Sequence, residues 1–134
     1  MSAGLTIRVR RGPGYAVAAV AGEIDIATVA RLRDRLTALA DSGRAVIADL
    51  DQVSFIDASG LGVLVAASRH AAAHGACLQV VCGRGPARRL LRLTGLDRHI
   101  PLTRTLTEAL EALEGGRRAS SGRPQHEPPG GPPR

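Results

Sequence analysis

The sequence predicts an α/β domain built on a mixed, largely parallel sheet of four to five strands with about four helices. Three observations carry that expectation. Short aliphatic runs alternate with stretches of helical periodicity, the pattern of strand–helix–strand crossovers. The first two strands stand only a Gly-Pro-Gly apart, too close for a crossover, so the chain opens on a hairpin. With one Phe, one Tyr and no Trp in 134 residues, the core has to be built from Val, Leu, Ile and Ala. That length supports one core and is too short for two.

Leu5-Thr-Ile-Arg-Val9 alternates as a half-exposed strand does, Gly12-Pro13-Gly14 turns the chain, and a second strand runs from Tyr15 to Ala21. Asp25, in Gly22-Glu23-Ile24-Asp25, is placed to cap the next element. Val29, Leu32, Leu36 and Leu39 then recur at helical spacing until Ser42-Gly43. The continuous run Ala45–Leu50 reads as a central strand covered on both faces. A second helix is expected from about Gly60 to His74, stopped by Gly75. Cys77–Cys82 follows as a strand, and Pro86 opens a third helix at a position where its missing N–H costs nothing. Leu90, Leu91 and Leu93 supply that helix's apolar side, and Gly95 ends it. Ile100-Pro101-Leu102 is a short strand at most. Thr105-Leu-Thr-Glu108 is a capping box for a last helix reaching about Glu114.

The organisation is therefore one domain over residues 1–114 and a tail over 115–134. The tail holds no apolar residue larger than Ala apart from proline, so it cannot bury enough surface to offset its ordering entropy and is expected to be disordered.

Charge and composition exclude several functions. All eighteen basic residues are Arg, and four of them lie in the tail against one Glu, so half of the net charge of +6 sits outside the domain. The remainder is too thin for a nucleic-acid footprint, and aromatic stacking platforms are absent. No apolar run approaches the roughly 18 residues of a membrane span, and no signal-peptide pattern opens the chain. A soluble, cytoplasmic protein is expected. Within one strand Cys77 and Cys82 would lie on opposite faces and about 16 Å apart, beyond the roughly 7 Å a disulfide spans. They are expected as small buried hydrophobes in a reducing compartment.

Candidate chemistry is sparse. Gly83-Arg-Gly85-Pro-Ala-Arg88 has the outline of a dinucleotide fingerprint, but its third position is Arg88 where close helix–strand packing needs Gly. His70 and His74 share a helix face, yet Ala71 replaces the glutamate of a His-Glu-x-x-His site and no third ligand is evident in the sequence. They read as exposed histidines at a helix end, so no metal site is assigned. His99 and His126 lack a catalytic context, and neither an enzyme nor a bound cofactor is expected. Arg84, Arg88, Arg89 and Arg92 form either a solvated basic face or a partner-facing patch. Loops after parallel strands converge on one edge, which would make the Arg84 loop a neighbour of the loop at Ser59.

That second loop is the most informative stretch. Asp57-Ala58-Ser59-Gly60 interrupts the most hydrophobic part of the chain. Asp57 or Ser59 is an N-cap closing a strand-to-helix turn, with Gly60 and Gly62 allowing close approach to the sheet. A hydroxyl at a helix N-terminus is also where a phosphate is best tolerated. Both readings hold at once, since a residue of the cap can be modified.

Asp49-Leu-Asp-Gln-Val-Ser-Phe-Ile-Asp-Ala-Ser-Gly-Leu-Gly62 resembles the signature of the STAS domain, shared by sulfate transporters and bacterial anti-sigma factor antagonists. Gly22-Glu-Ile-Asp25 and Leu93-Thr-Gly-Leu96 support it, and it spans residues 5–114. The resemblance implies a partner: an anti-sigma factor of histidine-kinase-like ATPase fold that phosphorylates the serine matching Ser59. On that pattern the unmodified antagonist holds the anti-sigma factor and frees a sigma factor, the phosphorylated form lets go, and a serine phosphatase resets it. Asp25, Asp57, Ala58, Ser59, Gly60, Leu61 and Gly62, with Arg84 and Arg88, are the implied partner-binding residues. Ala58 departs from members that carry a second hydroxyl there. Lack of a membrane segment points away from the transporter branch, and the short N-terminus leaves no room for an added sensor domain. A non-switching STAS scaffold or accessory subunit, of stress-complex or lipid-transport type, stays open as the alternative.

Overall fold

The computed structural model describes residues 4–122. β1 (Leu5–Gly12) and β2 (Tyr15–Ile24) form the opening hairpin, paired antiparallel from Leu5↔Gly22 to Gly12↔Tyr15. α1 (Val29–Asp41), β3 (Ala45–Ile56), α2 (Ala58–Ala73), β4 (Leu78–Val81), α3 (Pro86–Thr94), β5 (Leu102–Thr103) and α4 (Leu106–Gly122) follow. A short 3-10 turn over Leu96–Arg98 links α3 to β5. The five strands lie in chain order, and every pair after the hairpin is parallel. Three crossovers stepping one way across a sheet put their helices on one face, because each keeps the same hand.

Burial shows that division. Ala16, Ala18 and Val20 of β2, Val46, Ala48 and Leu50 of β3, and Leu78 and Val80 of β4 meet Leu32, Leu36, Leu64, Ala67 and Leu91 of the three crossover helices. The alternate positions Val17, Ile47 and Val81 point to the other face and are covered by Ala109, Leu106, Leu110 and Leu113 of α4. A period of two along each strand thus separates two apolar layers. Thr105 starts α4 as the capping box predicts: its Oγ1 accepts the Glu108 amide at 3.1 Å, while Glu108 Oε1 accepts the Arg104 amide at 2.9 Å.

Several expectations need correction. β3 runs to Ile56, six residues beyond the predicted end, because β2 continues beside it through register shifts after Ala19 and Gly22. Leu93 is 76% exposed; Ala87 and Leu91 are the buried residues of α3. Cys82 is buried but Cys77, just before β4, is exposed, and both are free thiols. α4 continues to Gly122, past Glu114. The rest of the expected disordered tail, 123–134, lies outside the described residues.

A chain ended after Gly116 keeps every described contact of α4 with the sheet, the last being at Leu113. Its melting temperature should stay within about 4 °C of the full chain, the shift that about 1 kcal/mol produces in a domain of this size. A chain ended before Leu106 uncovers Val17, Ile47 and Val81 and should show no cooperative melt by circular dichroism.

Candidate functional site

The parallel pairing of β2 with β3 ends at Ile24↔Ile56, and the Asp57 amide donates to the Ile24 carbonyl at 3.3 Å. The two strands therefore turn away side by side, each into a loop closed by an aspartate. Asp25 Oδ1 accepts the amides of Ala27 (3.0 Å) and Thr28 (3.1 Å). Thr28 Oγ1 accepts from the Asp25 amide at 3.0 Å and donates to the Glu23 carbonyl at 2.8 Å. Asp25 thus closes the turn before α1 and is not its N-cap; Thr28 holds that position.

Asp57 is the N-cap of α2. Its Oδ1 accepts the amides of Ser59 at 2.9 Å and Gly60 at 3.4 Å, and the Gly60 amide is shared with the Asp57 carbonyl at 3.0 Å. The same oxygen accepts the Ser59 hydroxyl at 2.5 Å. Ser59 is therefore the second residue of α2, half-buried, with Oγ aimed at a carboxylate beside the helix N-terminus. The Ser59 hydroxyl bond is the largest influence on the Asp57 carboxyl; burial pushes upward next, and the Gly60 and Ser59 amides add to the lowering, so the carboxyl is held below its ordinary value.

The two motif glycines differ. A Cβ on Gly60 would stand 2.7 Å from both Ile24 Cγ2 and Ile56 Cγ1, so only glycine lets the first turn of α2 rest on the ends of β2 and β3. A Cβ on Gly62 would meet nothing within 4 Å. The expectation that Gly62 also packs on the sheet is wrong: its position is exposed and leaves a bare patch of helix beside Ser59. Ala58 is exposed and Leu61 half-buried against the core.

Two residues at this edge escaped the sequence reading. Ile26 is 80% exposed one position after Asp25, and Phe55 is 46% exposed two positions before Asp57. The available signal was a lone Ile inside a turn and a Phe adjoining the buried Ile56 in a strand. The arginine loop is less close than expected. β4 pairs with β3 only as far as Asp49↔Val81, and the Gly83 amide donates to Asp51 Oδ1 at 2.7 Å. The five steps of β3 from Asp51 to Ile56 carry the Ser59 turn about 16 Å further along. Arg88 Nη1 donates to the Cys82 carbonyl at 3.1 Å and braces α3 against the end of β4, while Arg84, Arg89 and Arg92 are exposed.

Residues 6–109 match the family model of the STAS domain. The chain belongs to the STAS domain family. This STAS domain is 35% identical over 114 residues to the anti-sigma-F factor antagonist RsfB of Mycobacterium tuberculosis, covering 84% of the chain and 93% of the relative. It is 35% identical over 77 residues to the anti-sigma-B factor antagonist of Bacillus subtilis, covering 58% and 71% respectively. A crystal structure of an anti-sigma factor antagonist from Mycobacterium paratuberculosis superposes with a TM-score of 0.76 at 36% identity, over 85% of this chain and 99% of that one.

Alanine substitution should separate the two glycines. Gly60→Ala forces a methyl into the Ile24 and Ile56 side chains and should destabilise the domain by about 1–3 kcal/mol. Gly62→Ala should stabilise it by up to about 1 kcal/mol, since alanine is the better helix residue where nothing is crowded. Urea denaturation of both variants checks this. The Asp57 carboxyl has a lowered folded value, so its contribution to stability is present above the unfolded carboxylate range and is lost as pH falls through the folded value. Ser59→Ala removes the largest lowering contact. Carboxyl titration by NMR should show Asp57 rising toward the ordinary value in that variant.

Proposed function

We propose that this STAS domain is an anti-sigma factor antagonist that docks an anti-sigma factor on the Ser59 edge and is released when Ser59 is phosphorylated. One observation carries the reading: the only hydroxyl of the Asp57–Gly62 turn is held by a carboxylate at a helix N-terminus, beside exposed apolar and side-chain-free positions. The names of the antagonist relatives support the same class of partner. Ile26 and Phe55 are the apolar anchors, Ala58 and Gly62 allow close approach, and Ser59 sits between them as the modifiable group. The partner is an ATP-dependent serine kinase of histidine-kinase-like fold, and a serine phosphatase reverses its action. The chain itself is substrate and ligand, working in the cytoplasm, and is not an enzyme.

The switch follows from charge. Phosphorylation places about −1.5 to −2 charges on Oγ at pH 7 and removes the proton donated to Asp57. In the free domain the new group stands in water at the positive end of α2, a setting that favours anions by about 0.3–1 kcal/mol. Repulsion from Asp57 opposes that gain and is screened, so the fold changes little. In a complex the same group is pressed into a surface shaped for a neutral hydroxyl. An uncompensated buried charge costs several kcal/mol, and about 2.7 kcal/mol already weakens binding a hundredfold.

Calorimetric titration against the cognate anti-sigma factor tests this. Ser59→Ala should bind like wild type and accept no phosphate from ATP and the kinase, while Ser59→Asp should stay folded and bind at least a hundredfold more weakly. Ile26→Ser and Phe55→Ser should weaken binding at least tenfold with unchanged melting temperatures. Wild-type affinity in Ser59→Asp would favour the scaffold reading, in which Ser59 serves the cap alone.

A further inference from the structure

The far end of α2 brings together three metal-ligating side chains, of which sequence spacing connects only His70 and His74. His70 and His74 lie in and just after the last turn of α2, and Asp41 is the last residue of α1. His70 Nε2 stands 2.6 Å and His74 Nε2 3.6 Å from the same Asp41 Oδ1. One ligating atom from each residue falls within 4.8 Å of the others, and the two imidazoles stack with centroids 4.3 Å apart. A tetrahedral zinc ion with bonds of 2.0–2.1 Å sets its ligand atoms about 3.3 Å apart. The separations here bracket that value, and all three side chains are partly exposed and free to adjust.

The hydrogen bonding argues for a cation between them. His74 Nδ1 lies 2.9 Å from the His70 carbonyl, which can only accept, so Nδ1 carries the proton. In the neutral ring Nε2 is then a lone pair facing a carboxylate oxygen, an arrangement that repels until a positive charge enters. A histidine whose second nitrogen donates to a backbone carbonyl is also the usual way a metal-binding imidazole is oriented. The C-terminal ends of α1 and α2 meet here, and both helix dipoles favour positive charge at that point.

The geometry points to a site for one divalent transition-metal ion of the zinc type, held by Asp41, His70 and His74 with a remaining position open to water. Two imidazoles and one carboxylate suit zinc and its neighbours rather than magnesium or calcium, which take oxygen ligands. On binding, the His70 proton moves from Nε2 to Nδ1, which frees Nε2 for the metal. The fifteen helical steps from Ser59 to His74 place the site about 22 Å from the Ser59 turn, so it is a staple between α1 and α2 and is independent of the partner reading.

The test is calorimetric titration of the full chain with Zn2+ at pH 7.5, above the ordinary histidine range of about 6.5, with circular dichroism confirming that each variant folds. Wild type should take up one ion at micromolar Kd or tighter. His70→Ala, His74→Ala and Asp41→Ala should each weaken binding at least tenfold, whereas His99→Ala and His126→Ala should not. Zinc at a hundredfold over Kd should raise the wild-type melting temperature by at least about 5 °C, and Co2+ should give visible d–d absorption that His74→Ala abolishes. Binding to wild type no tighter than to the His70→Ala/His74→Ala double variant overturns the proposal and leaves a hydrogen-bonded His–Asp cluster in its place.

Discussion

The absence of a side chain at Gly60 is the constraint on which the Ser59 edge depends. Because nothing but hydrogen projects there, the first turn of α2 settles onto Ile24 and Ile56, the last paired residues of β2 and β3. That contact fixes the height of the helix N-terminus above the sheet. Asp57 is thereby held where its carboxylate reaches the Ser59 and Gly60 amides, and Ser59 is presented at the rim instead of being drawn into the core. A methyl at this one position would lift the turn, disturb the cap and displace the hydroxyl together.

The same helix has two chemically different ends. At its start, unpaired amides gather a carboxylate and a hydroxyl, and the local field suits negative charge. At its finish, the C-terminal ends of α2 and α1 gather two imidazoles and a carboxylate, and the field suits positive charge. Parallel crossovers produce this arrangement: α1 and α2 follow parallel strands on one face, so like ends coincide. The proposed partner edge and the proposed ion site need not compete, because the body of α2 separates them.

Much of the fold was legible because its elements are locally consistent. The alternation of β1, the apolar stripe of α1, Pro86 at the start of α3, the left-handed Gly95 at its end and the Thr105–Glu108 box each pointed to what the structure contains. The misreadings have physical causes. β3 runs six residues past its continuous apolar run because pairing with β2, rather than hydrophobicity, sustains it. Leu93 lies two positions after the buried Leu91, about 200° round the helix, and so faces solvent although its sequence neighbours Leu90 and Leu91 pack inward. Asp25 and Asp57 carry the same capping chemistry in sequence, but only Asp57 stands directly before a helix.

The sequence by itself determined the element order, the family and the identity of the Ser59 turn, because those rest on residues within a few positions of one another. Tertiary structure decided what depends on distances between elements. It distinguished Gly60, pressed on two isoleucines, from Gly62, facing open space, though both are glycines of one motif. It exposed Ile26 and Phe55, separated the arginine loop from Ser59 through the unequal lengths of β3 and β4, and brought Asp41 to His70 across 29 positions of chain, with His74 beside it. No local pattern encodes such meetings. They follow from the register of a sheet and the packing of two helices, which exist only once the chain has closed on itself.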